Sequence, residues 1–265
     1  GYFDDSGNAV LLGGMGNDEL YAGNGEDTVY GEGGNDLIEG AADDDTLVGG
    51  SENDTYRFDG DKSLGLDTVT EVASPFGGND TFDLSTTSSR AITLDLSSTA
   101  LQQVTTSLQI QLPSGSVIEN VTGGDQDDVL TGNDLENILI GGAGDDTLTG
   151  GRGDDELHGD TGSDTYYFDA DVPLGHDDLF DDAVSGTDQD VDLLDFGGTT
   201  TQPVSLDLGL NVSQTVNVNL TLTLSDGEGI ENLYGGTGQD VLVGNTRDNV
   251  IWGREGNDFL DGGSG

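Results

Sequence analysis

Along three stretches of this chain a large apolar residue recurs at every ninth position. The first stretch reads GGMGNDELY, AGNGEDTVY, GEGGNDLIE, GAADDDTLV and GGSENDTYR from residue 13. The second reads GGDQDDVLT, GNDLENILI, GGAGDDTLT, GGRGDDELH and GDTGSDTYY from residue 123; the third reads GGTGQDVLV, GNTRDNVIW and GREGNDFLD from residue 235. Position 8 of these thirteen units is Leu20, Val29, Ile38, Leu47, Tyr56, Leu130, Leu139, Leu148, Leu157, Tyr166, Leu242, Ile251 and Leu260. Positions 7 to 9 therefore read as a short strand that sends position 8 to one face and its neighbours to the other. The six residues before each strand are rich in Gly, Asp and Asn and read as turns. A turn, a strand, a second turn and a second strand return the chain after two units. The pattern thus predicts an all-β stack of coils of about 18 residues, with parallel strands and a column of position-8 side chains inside.

Position 6 is the second regular column. It is Asp in eleven of the thirteen units, with Asn137 and Asn249 as the exceptions. Stacking brings position-6 carboxylates of alternate units together. At ~5 Å and an effective dielectric of about 20, two such charges repel by about 3 kcal/mol. A divalent cation between them reverses the sign. Ca²⁺ suits the place: it is hard, takes six to eight oxygens, and accepts carboxylates and backbone carbonyls. Zn²⁺ is poorly served by a chain with no Cys and two His, and Mg²⁺ prefers to keep several waters.

Composition strengthens this reading. The 265 residues carry 53 acidic and 6 basic side chains, a formal charge of −47, with 45 Gly and 32% hydrophobic residues. Such a charge repels phosphate, so nucleic acid is excluded as a partner, and no apolar run has the length to insert in a membrane. An acidic disordered segment would have no reason to keep apolar residues in register.

A longer repeat contains the short one. Blocks begin at 13, 123 and 235, a period of about 110 residues. The first two end alike, in NDTYRFDGDKSLGLDTVTE (53–71) and SDTYYFDADVPLGHDDLFD (163–181); later come IENV (118–121) and IENL (230–233). The expected division is a degenerate leading unit at 1–12, blocks at 13–57, 123–167 and 235–265, and β-rich connecting regions at 58–122 and 168–234. Within those regions Ile92, Leu94 and Leu96, Leu108, Ile110 and Leu112, Val204, Leu206 and Leu208, and the run from Val216 to Leu224 alternate as strands do. These strands are expected to continue or cap the stack as one elongated body; the alternative is a separate small β-sandwich in each module.

The units resemble the RTX (repeats-in-toxin) nonapeptide GGxGxDxUx, a haemolysin-type calcium-binding repeat of β-roll proteins. Residues 141–149, GGAGDDTLT, match every fixed position. The resemblance implies a right-handed parallel β-roll, or β-solenoid, in which position-6 carboxylates and turn carbonyls hold Ca²⁺. Carried over, the ligand residues are Asp18, Asp27, Asp36, Asp45, Asp54, Asp128, Asp146, Asp155, Asp164, Asp240 and Asp258. It also implies a secreted or cell-surface bacterial protein, exported unfolded and folding on extracellular calcium. Two functions follow as expectations. One is a structural or adhesive segment of a large secreted protein, whose partners are a cell surface, a matrix or neighbouring modules. The other is the C-terminal secretion and folding region of a secreted protease, lipase or epimerase. The units at 132 and 244, with Asn at position 6 and Leu135 or Arg247 for Gly, are expected to be metal-poor. The unit at 40, with Asp43 at position 4, is expected to have an altered turn.

No HExxH, GxSxG or Walker lysine occurs, so the chain reads as non-catalytic. Asp59, Asp61 and Asp67, with counterparts Asp169, Asp171 and Asp177, are candidates for an extra calcium site. His158 is expected on the outward face and His176 in a loop. Tyr21, Tyr30, Tyr167 and Trp252, all at position 9, are expected to be outward aromatics.

Overall fold

The computed structural model describes residues 2–3, 7–71, 77–112, 117–181, 190–225 and 229–265, and contains no helix among them. The chain divides into two compact units, Gly1–Asn133 and Asp134–Gly265.

In the first unit one ladder runs through Val10–Met15, Thr28–Gly33, Thr46–Ser51, Gly65–Thr70 and Leu108–Gln111, each strand parallel to the next. Gln102–Thr105 closes it as an antiparallel hairpin partner. A second ladder runs through Tyr2–Phe3, Glu19–Asn24, Leu37–Ala42, Thr55–Arg57, Thr81–Asp83 and Asn120–Thr122. Thr93–Asp95 pairs with Val129–Thr131. Odd and even units of a block thus feed opposite ladders. Val10 lies against Thr28 and Thr28 against Thr46, a step of 18 residues.

The second unit repeats the plan. Ile138–Ala143, Glu156–Thr161, Gly175–Phe180 and Leu220–Leu224 form one ladder, closed by antiparallel Gln214–Thr215. Thr147–Thr149, Thr165–Tyr167, Leu193–Asp195, Asn232–Tyr234 and Val250–Trp252 form another. Ser205–Asp207, Val241–Val243 and Phe259–Asp261 form a third. This is a parallel β-roll, or β-solenoid, in each unit.

The core is the predicted column. Eleven of the thirteen position-8 side chains have no exposed surface, from Leu20 through Leu242. Ile251 is half-buried. Leu260 departs from expectation at 47% exposure, because its strand is at a sheet edge and stacks on Leu242 alone. The alternating residues of the connecting regions are buried too, including Ile92, Leu94, Leu108, Ile110, Leu206 and Leu222. Their strands pair in parallel with block strands, directly or through Gly65–Thr70 and Gly175–Phe180, so the same core runs through them. Sequence reasoning missed Gly65–Thr70 and Gly175–Phe180. The second corrects the placement of His176, which lies exposed in that strand rather than in a loop.

Candidate calcium-binding turns

Turn geometry explains the glycines. In nine units, those starting at 13, 22, 31, 40, 49, 141, 150, 159 and 253, positions 2 and 4 both have positive φ. Glycine adopts that region without a Cβ penalty. The six non-glycine residues found there are Glu32, Ala41, Asp43, Glu52, Asp160 and Arg254, all at these two positions. The stack holds them there against their local preference. The Asp43 turn is therefore of the same kind as its neighbours, with φ of 79°, and the altered geometry expected for the unit at 40 is not found. Position 1 is glycine for another reason. A Cβ on Gly31, Gly40, Gly49, Gly141, Gly150 or Gly159 would collide with Oδ2 of the Asp five residues later.

Those aspartates form a ladder. Asp36, Asp45, Asp54, Asp155 and Asp164 offer Oδ1 to the backbone N–H at the matching place one coil earlier. Asp18 N–H donates to Asp36 (2.8 Å), Asp27 to Asp45 (2.8 Å), and Asp36 to Asp54 (2.8 Å). In the second unit Asn137 donates to Asp155 (2.9 Å) and Asp146 to Asp164 (2.7 Å). The other oxygen is open: Oδ2 of Asp27, Asp36, Asp45, Asp54, Asp155 and Asp164 is buried with no hydrogen-bond partner among the described residues. A buried carboxylate oxygen without a partner is costly, and it is the donor that a hard cation needs. Loss of water on burial raises the acid pKa of Asp36, pushes Asp45 and Asp54 up to about 7, Asp155 to about 8 and Asp164 to about 6, partly offset by the backbone N–H each accepts. Asp18 and Asp258, in outer coils, are half-buried.

The units at 123, 132, 235 and 244 differ. None has positive φ at position 2 or 4. In two of them the aspartate closes its own turn: Gly124 N–H donates to Asp128 Oδ2 (2.8 Å) and Gly236 N–H to Asp240 Oδ2 (2.9 Å), while Oδ1 accepts from Ile92 and Val204. Both oxygens are satisfied by protein. At 244 the Asn249 side chain accepts from Asn245 N–H and donates to the Glu231 carbonyl (2.9 Å), which a carboxylate could not do.

The ladder also continues past the blocks, which sequence reasoning did not foresee. Asp45 N–H donates to Asp67 (3.0 Å), Asp54 to Asp80 (2.8 Å) and Asp80 to Glu119 (2.8 Å). Asp155 donates to Asp177 (3.1 Å), Asp164 to Asp192 (2.8 Å) and Asp192 to Glu231 (2.9 Å). The signal was a bare acid-x-apolar triplet: Asp67-Thr68-Val69, Asp80-Thr81-Phe82, Glu119-Asn120-Val121 and their second-unit equivalents. Asp67 and Asp80 are pushed up to about 8 by burial. The candidate trio of Asp59, Asp61 and Asp67 takes separate roles. Asp67 joins the ladder, Asp59 pairs with Lys62 (3.0 Å), and half-buried Asp61 is held down to about 2 by the hydroxyls and N–H groups of Ser89 and Ser88. Asp171 caps Thr200 and Thr201 in the same way.

Of the remaining candidates, His158 is half-buried, stacked on Phe180 at 4.6 Å and 2.7 Å from Glu156. Trp252 is exposed, under the Arg254 guanidinium at 5.0 Å. Tyr30 is exposed, and Tyr21 and Tyr167 are half-buried.

A coil closed by left-handed turns, with open buried carboxylates stacked between coils, is a calcium-binding β-roll. The RTX calcium-binding nonapeptide repeat matches the sequence in four copies, at residues 3–38, 27–56, 131–166 and 227–265. Through these repeats the chain belongs to the RTX calcium-binding nonapeptide-repeat family, and the ion they bind is Ca²⁺. No curated protein matches the chain.

Proposed function

We propose that this chain is a structural or adhesive segment of a large secreted bacterial protein, one that folds and stiffens when Ca²⁺ fills its turns. Of the eleven expected ligand carboxylates, Asp18, Asp27, Asp36, Asp45, Asp54, Asp146, Asp155, Asp164 and Asp258 hold the ions, with turn carbonyls completing each site, while Asp128 and Asp240 close their own turns instead. The six-part division into a leading unit, three blocks and two connecting regions describes its modules. The chain works outside the cell or at its surface, without catalysis of its own, and its partners besides calcium are a surface, a matrix or neighbouring modules. One observation carries this reading: the open, buried Oδ2 atoms recur at the same place in coil after coil. Metal-free, those coils concentrate anions that repel; with Ca²⁺ the same anions attract a shared ion.

Circular dichroism through a calcium titration tests it. Coil in metal-free buffer and a cooperative gain of β signal at roughly micromolar to millimolar Ca²⁺ are expected. Full β signal in chelator would refute coupled folding.

A further inference from the structure

We propose that each unit holds one further Ca²⁺ site outside the nonapeptide frame, where the last left-handed turn of a block meets a carboxylate from the connecting region: Asp54, Glu71 and Asp80 in the first unit, and Asp164, Asp181 and Asp192 in the second. The proposal rests on the calcium reading of the repeats but turns on Glu71, Asp80, Asp181 and Asp192, which the repeat does not supply.

Carboxylate oxygens of Asp54, Glu71 and Asp80 lie within 4.8 Å of one another; no other trio of acidic or imidazole side chains among the described residues converges so closely. A cluster of acids alone would not make a site. Here Asp54 is 1% exposed, and its Oδ2 has no hydrogen-bond partner. That atom is aimed at the cluster. The point where Gly49 would carry a Cβ lies within clash distance of Asp54 Oδ2, Glu71 Oε1 and the Tyr56 hydroxyl together. Three oxygens from three positions thus surround a space that the glycine leaves clear. Tyr56 fixes the arrangement: its hydroxyl accepts from Gly49 N–H (2.6 Å) and donates to Glu71. Asp80 is anchored through Oδ1 by Asp54 N–H.

The second unit carries the counterparts, with Asp for Glu, although their carboxylates converge less closely. Tyr166 accepts from Gly159 N–H (2.9 Å) and donates to Asp181 (3.3 Å). Asp164 Oδ2 is again buried without a partner, and a Cβ on Gly159 would again collide with it and with the tyrosine hydroxyl. Each site therefore takes a carboxylate 17 residues beyond the last repeat aspartate. A hard, oxygen-seeking divalent ion is the ligand such a set accepts.

Native mass spectrometry of the full chain in excess Ca²⁺ tests the proposal. Glu71→Gln and Asp181→Asn should each lose one bound ion, and the double variant two, with the β signal in circular dichroism retained. An unchanged ion count would overturn the proposal while leaving the repeat sites standing. No bound ion in the unsubstituted protein would overturn both readings at once. Should the variants fail to fold, Tb³⁺ replaces Ca²⁺ as probe, with tyrosine as the antenna. Tyr56→Phe with Tyr166→Phe should cut tyrosine-sensitised Tb³⁺ emission several-fold, and undiminished emission would overturn the proposal.

Discussion

The units at 123 and 150 share the motif of glycines followed by Asp at position 6, yet they close their turns differently. At 150 the backbone is left-handed at Gly151 and Gly153, and Asp155 keeps an open Oδ2. At 123 neither position 2 nor position 4 has positive φ, and Asp128 spends both oxygens on Ile92 and Gly124 N–H groups. The unit at 235 repeats the second pattern through Val204, Gly236 and Asp240. The cause lies one coil away. Gly124 and Gly236 pack on the carbonyls of Thr87 and Thr199, where any Cβ would collide. Those threonines belong to connecting-region turns, not to nonapeptide turns. Stacked on a foreign turn, the same motif becomes a self-capped bend; stacked on its own kind, it becomes a half-site for a cation. A glycine-rich turn is thus selected by its neighbour as much as by its own residues.

The largest expected effect falls on what the two kinds of unit have in common. Leu130→Ala and Leu157→Ala, both fully buried positions, should each cost about 2–5 kcal/mol in calcium-loaded stability by denaturant unfolding. A large cost at one and none at the other would mean that the cores differ as well as the turns.

Asparagine substitution separates the turns. Asp155→Asn keeps an acceptor for Asn137 N–H but removes a ligand charge, so calcium affinity should fall by about tenfold or more, as ligand charge count tunes it. Asp128→Asn instead sets an amide N–H₂ against one of two backbone donors. It should cost about 1–3 kcal/mol with little change in the number of ions bound. Calorimetric calcium titration of both variants checks the contrast, and equal loss of ions would abolish it.

Glycine at position 2 gives a smaller contrast. Gly124→Ala drives a Cβ into the Thr87 carbonyl and should cost about 1–3 kcal/mol. At Gly14 nothing lies within 4 Å, and Ala41 already occupies the equivalent place with φ of 74°. Gly14→Ala should cost about 1 kcal/mol, the left-handed backbone penalty alone. Thermal unfolding of the two variants would reveal a reversed order.

The last contrast is the effect of pH on any metal-free folded population. Asp45, Asp54, Asp67 and Asp155 reach about 7 to 8 in the folded chain against about 3.9 for free Asp. The folded form binds more protons between those limits. Its metal-free stability is therefore fully present below about pH 4 and lost as pH rises to about 8. Calcium needs the ionised form, so its affinity should climb over the same window and level off above it. Metal-stripped protein should show more β signal at pH 5 than at pH 8.5; the reverse order would mean that the buried carboxylates ionise freely.

The amino-acid sequence by itself determined the column of position-8 side chains, the two-unit coil and the position-6 aspartates, because periods of nine and eighteen are carried by residues next to one another in the chain. Even there it could not say that Asp128 and Asp240 would turn inward on their own loops. Only the tertiary structure decided how the ladder proceeds beyond a block. Asp67, Asp80 and Glu119 follow their partners by 22, 26 and 39 residues, so each excursion of the connecting chain breaks the sequence period while the stack keeps its spacing. Backbone hydrogen bonding between coils sets that spacing, and it is indifferent to how many residues loop out between one strand and the next.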